Sequence, residues 1–170
     1  MNTNIFRARY ALVATFGLVA LVAQPATAQT TTGGTMVANA VVTPDCVVSA
    51  TALNFGNTNV TDGQQHTGTA NVNVVCTSGT AWSATADKGL GATADITMRQ
   101  MQSGSNNLNY SLYTTPAAAT VWGDGTTGSA LTGIGTGQSQ TTTVTGMIPA
   151  NQTTLPAGTY TDTVTVTVTY

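Results

Sequence analysis

Tyr160-Thr161-Asp162-Thr163-Val164-Thr165-Val166-Thr167-Val168-Thr169-Tyr170 alternates almost without a break. Tyr160, Val164, Val166, Val168 and Tyr170 fall on one face, and Thr161, Thr163, Thr165, Thr167 and Thr169 on the other. Side chains of a strand point alternately to opposite faces, so this pattern predicts a strand with one face in a core and one in water. A second alternating segment, Met36, Ala38, Ala40 and Val42, follows a polar leader at Gln29–Thr35 whose Gly and Thr content predicts flexibility. It stops at Thr43-Pro44-Asp45, because proline cannot donate to a ladder. Two strong strands near the ends of the sequence, the second without a successor, predict a sheet that a strand from another molecule can complete.

Short apolar or alternating runs separated by Gly, Asn and Asp clusters lie between them. They predict strands at Cys46–Ala50, Leu53–Phe55, Ala70–Cys76, Trp82–Ala86, Ile96–Met101, Asn109–Tyr113, Thr141–Thr145 and Thr159–Tyr170. The Gly-rich stretches Asp87–Ala94 and Gly123–Gly137 read as loops. Such a series describes a sandwich of antiparallel strands. Composition agrees. The sequence contains no Glu, and the strong helix formers of exposed helix faces are scarce, while Thr and Val, which suit a pleated sheet, abound. The fold class is all-β.

The opening residues have the features of a secretory signal, residues 1–28. Arg7 and Arg9 form a charged region, Ala11–Val22 an apolar one, and Ala26-Thr27-Ala28 a cleavage site. The apolar run is too short for a bilayer, which needs about 20 residues. Residues 29–45 then form an N-terminal extension carrying the alternating segment, and 46–170 one domain of ordinary size. Without Arg7 and Arg9, Lys88 and Arg99 are the only cations, set against six aspartates. So few cations release few counterions from a phosphate backbone, which argues against a nucleic-acid partner.

Cys46 and Cys76 remain after export, and an even count in an oxidising compartment favours a disulfide. A metal site is the competing reading, but two thiols and one histidine, His66, fall short of a four-ligand zinc shell unless an aspartate helps. Neither a metal nor another cofactor is expected. Little in the sequence points to catalysis. His66 sits in the polar turn Asp62-Gly63-Gln64-Gln65-His66-Thr67, where an exposed loop histidine is expected, and no motif marks a nucleophile for it. The aspartates lie in turn-like contexts, where their side chains bind nearby backbone amides. Trp82 reads as a buried anchor. Trp122, in Val121-Trp122-Gly123-Asp124-Gly125, reads equally as core or as an exposed sugar-binding face.

Several segments in register resemble the spore coat protein U domain family, which includes subunits of archaic, Csu-type chaperone–usher pili. They are Leu53-Asn54-Phe55-Gly56, Val72–Thr80, Met98-Arg99-Gln100-Met101, Leu108–Tyr113, Trp122-Gly123-Asp124-Gly125, Gly146-Met147-Ile148-Pro149 and Gly158–Val164. Thr145 departs from the pattern, since members often carry an aromatic residue before that glycine. The resemblance implies an incomplete immunoglobulin-like sandwich lacking its last strand. A periplasmic chaperone supplies that strand temporarily, and an outer-membrane usher exchanges it for the N-terminal extension of the next identical or related pilin subunit. Carried over to this sequence, Met36, Ala38, Ala40 and Val42 form the donor row. Val164, Val166, Val168 and Tyr170 form the row facing chaperone or donor. The implied role is a non-enzymatic shaft or adaptor subunit, exported through the periplasm to a cell-surface fimbrium that serves adhesion and biofilm formation. The alternative is a secreted, self-complete sandwich that binds carbohydrate through the Trp122 loop, or a spore- or cell-coat protein.

Overall fold

The computed structural model describes residues 26–115 and 117–170. The charged and apolar regions of the expected signal therefore lie outside the described residues. The chain divides into two units, residues 1–39 and 40–170. Within the first unit the described residues carry no helix or strand and are exposed.

The second unit is built from eight strands: β1 Cys46–Ala50, β2 His66–Cys76, β3 Ala81–Ala86, β4 Arg99–Ser103, β5 Asn106–Tyr113, β6 Leu131–Ile134, β7 Ser139–Ile148 and β8 Val166–Thr169. They form a five-stranded sheet in the order β1-β2-β7-β5-β4 and a three-stranded sheet in the order β6-β3-β8. Every named pairing is antiparallel. The result is the two-sheet, all-β sandwich of an immunoglobulin-like domain. Alternation explains how the core is filled. Ala70, Val72, Val74 and Cys76 point inward from β2, Trp82, Ala84 and Ala86 from β3, and Leu108, Tyr110 and Leu112 from β5. The intervening positions of β2 and β7 carry polar partners across the ladder: the Thr141 hydroxyl donates to Asn73 at 2.6 Å and that of Thr143 to Asn71 at 2.9 Å.

Several elements depart from the periodicity. Leu53–Phe55 is not a strand. Gly68 and Gly146 face each other across the β2–β7 ladder. A Cβ on Gly146 would meet Leu53 at 2.5 Å and Phe55 at 2.8 Å, and one on Gly68 would meet the Asn54 carbonyl oxygen at 2.6 Å. The Leu53–Phe55 segment thus packs across bare backbone, and its alternation reflects that packing rather than a ladder. β4 starts at Arg99 rather than at Ile96, because the Asp95 carboxylate accepts the amides of Thr97 and Met98 and closes a turn there. β6 lies inside the stretch read as loop. Its Gly133 is needed because a Cβ there would stand 2.5 Å from the Trp82 indole, so the glycine that argued against a strand is what lets this strand pack. The C-terminal run forms a regular strand only over Val166–Thr169; ahead of it, Thr161 makes an isolated bridge to Gln102.

Candidate functional site

The two sheets part between the residues that follow β1 and those that precede β8, leaving an open groove of about 430 Å³. Ala50–Leu53 form one wall and Tyr160–Val166 the other, while Val72, Tyr110, Leu112, Trp122 and Val144 lie along the floor. Among the named strands β1 pairs only with β2, and β8 only with β3. Each therefore presents an unpaired main-chain edge, the feature of a sheet that templates another strand. At the far end the two edges are tied, because the Tyr170 hydroxyl donates to the Asp45 carboxylate at 3.2 Å.

Val164, Val166 and Val168 are half-buried and pack against the core, and the threonines between them are exposed. An apolar row that reaches the core but remains half-wet is what a missing neighbour strand leaves behind. Tyr170 departs from this row: it is 55% exposed and engages Asp45.

Polar contacts hold the Tyr160–Val166 wall. Thr161 exchanges backbone hydrogen bonds with Gln102, at 2.7 and 3.1 Å. The Asp162 carboxylate accepts the Tyr110 hydroxyl at 2.7 Å and the Leu90 amide at 2.8 Å. Asp87 accepts the Thr165 amide at 2.9 Å, and its own amide donates to the Thr165 carbonyl at 3.1 Å. Burial at Asp87 opposes ionisation, but hydrogen bonds from Thr165 and Gly89 outweigh it and hold the carboxyl below its ordinary range. Burial, with the bond to Asp162, pushes the Tyr110 phenol well above its ordinary value, so it remains a donor.

The donor-row residues Met36, Ala38, Ala40 and Val42 are exposed and belong to no strand. Cys46 and Cys76 are joined, directly opposite each other in the β1–β2 ladder. Trp122 is 2% exposed, and its indole N–H donates to the Ala84 carbonyl at 3.1 Å; it offers no face for stacking a sugar. His66 is not a free loop residue but begins β2, with its Nε2 3.0 Å from the Asn59 carbonyl oxygen and 3.4 Å from Asp62. Among the described residues no three His, Cys, Asp or Glu side chains are grouped to hold a metal ion.

Arg99 has a role that charge and composition do not reveal. Its side chain is completely buried, and no carboxylate stands within 4 Å of it among the described residues. Instead the guanidinium donates to four carbonyls: Asp87 and Ile96 at 2.8 Å each, Trp122 at 2.8 Å and Ala86 at 3.3 Å. It thereby ties the end of β3 to the loops at residues 87 and 122, behind the groove floor. Burial lowers its pKa, and Tyr110, Asp87 and Asp162 work against that. One sequence signal was available: Arg99 and Met101 share a face in an alternating run, which puts the arginine inward.

The spore coat protein U domain family matches residues 16–167. The chain belongs to that family. No curated protein matches the sequence. Among solved structures, the chain is similar to one in the crystal structure of the CsuC–CsuE chaperone–tip adhesion subunit pre-assembly complex from archaic chaperone–usher Csu pili of Acinetobacter baumannii. The two are 27% identical with a TM-score of 0.57, and the match covers 76% of this chain and 40% of the other. This spore coat protein U domain thus spans about two-fifths of the length of the pilus-complex chain it resembles.

Proposed function

We propose that this chain is a structural subunit, shaft or adaptor, of an archaic chaperone–usher pilus that polymerises by strand addition between copies. The observation that carries this reading is the groove. It is lined by core side chains, flanked by two unpaired strand edges, and bordered by the half-wet row Val164, Val166 and Val168. The segment offered to a neighbour's groove is residues 36–43, exposed and without internal pairing. Main-chain hydrogen bonds to the open edges give affinity, and alternate side chains, Met36, Ala38, Ala40 and Val42, give register. A periplasmic chaperone protects the same groove before assembly, and an outer-membrane usher delivers the subunit to a surface fibre serving adhesion and biofilm formation. The similarity to a chain of the Csu pre-assembly complex supports this assignment of partners. Burial of Trp122 weighs against a carbohydrate site at that loop.

The test is assembly of the exported chain. Residues 29–170 should form fibres or large polymers when released from a protecting chaperone. Ala40→Asp should stop growth, because an inward carboxylate in a dry groove has no partner. Fibres of normal length from Ala40→Asp would refute the donor assignment.

A further inference from the structure

Polymerisation by strand addition explains the groove but not what holds its Tyr160–Val166 wall extended, when between the isolated Thr161–Gln102 bridge and the start of β8 no ladder pairs it. Unpaired extended segments in an apolar cleft collapse onto the core unless something else takes their polar groups. Here the wall is anchored at three points: Thr161 to Gln102, Asp162 to Tyr110 and Leu90, and Thr165 to Asp87. Asp162 stands out because its carboxylate meets two otherwise separate elements. One oxygen takes the hydroxyl of Tyr110, a floor residue only 3% exposed; the other takes the amides of Leu90 and of its own neighbour Thr163, each at 2.8 Å. The loop at residues 87–90 is shaped around it. Gly89 adopts φ +78°, and a Cβ there would overlap the Asp162 carboxylate.

Resting on the strand-addition reading, we infer that Asp162, held by Tyr110 and Leu90, is a positioning residue that keeps the acceptor wall open for the incoming strand. It acts by drawing the wall toward the 87–90 loop and away from Ala50–Leu53, so that the unpaired edge is extended before a donor arrives. Pre-organisation of this kind lowers the ordering cost of binding and favours fast uptake.

The experiment uses residues 29–170 carrying Ala40→Asp to hold the chain monomeric. It measures the uptake rate of a synthetic peptide of residues 36–43 alongside the urea midpoint. Tyr110→Phe keeps the ring and removes the hydroxyl; uptake should slow about tenfold, the equivalent of one hydrogen bond. Asp162→Ala should slow uptake at least as much, because it removes the acceptor of both the Tyr110 hydroxyl and the Leu90 amide. Slowing by both variants supports the inference; a purely structural role would shift the urea midpoint and leave the uptake rate unchanged, which overturns it. If Tyr110→Phe fails to fold, hydrogen exchange on the peptide-free Ala40→Asp monomer decides. Protected Leu90 and Thr165 amides support an anchored wall, and free exchange at both overturns it. Failure of the Ala40→Asp monomer to take up the peptide at all would instead refute the strand-addition reading beneath it.

Discussion

Arg99→Met removes the guanidinium while keeping a side chain of similar reach. Four carbonyls now bound to a cation, those of Asp87, Ala86, Ile96 and Trp122, lose their partner in a place with no water access. Hydrogen bonds to a charged group contribute about 1.5–3 kcal/mol each, so the gross loss is roughly 6–12 kcal/mol. Methionine no longer has to be stripped of a cation's hydration, which returns several kcal/mol. The net destabilisation is about 3–5 kcal/mol, the range found when one partner of a buried charged network is removed. Against a total of about 5–15 kcal/mol this is a large share. Urea unfolding of the monomer, kept so by Ala40→Asp, should show a midpoint lower by about 2 M for a slope near 1.5–2 kcal/mol per M. Arg99→Lys should recover only part of the loss, because one ammonium cannot span carbonyls that a planar fork reaches on three sides. A midpoint for Arg99→Met within about 0.3 M of the parent would refute the claim that this cation ties the loops to the sheet.

Three further outcomes follow from the same geometry. Mass spectrometry of exported protein should find Cys46 bonded to Cys76, and Cys76→Ser should lower stability by about 2–5 kcal/mol; free thiols in folded material would contradict it. Val166→Asp should abolish capture by the chaperone while Thr167→Asp, on the exposed row, retains it, and equal losses would mean the faces are misassigned; Thr165 is unsuited as the control because its amide is bound by Asp87. The carboxyls of Asp87, Asp95 and Asp124 titrate below their ordinary value, so the stability they contribute is present above about pH 4 and is lost as pH falls through their folded values. The thermal midpoint should be flat from pH 7 to 5 and fall below about 4, and a decline beginning near pH 6 would assign acid sensitivity to another group.

Local pattern alone determined that the chain is all-β and that Cys46–Ala50 and the centres of β2, β3, β5 and β7 are strands. A period of two and the scarcity of helix formers are properties of neighbouring residues, and neighbours in sequence suffice to read them. The resemblance to the spore coat protein U domain family was likewise carried by short segments in order along the chain. What the tertiary structure decided depends on residues far apart. Gly133 made β6 look like a loop until the Trp82 indole, which needs that space, was placed beside it. Leu53 and Phe55 alternate like a strand, yet they cover two glycines on β2 and β7 that only the ladder register brings opposite. The carbonyls that satisfy Arg99 come from three separated segments, so its part in tying them together is not a property of its neighbours in sequence. The groove is of the same kind. A strand's edge is open or closed according to which other strand lies beside it, and that is settled by packing, not by the strand's own residues.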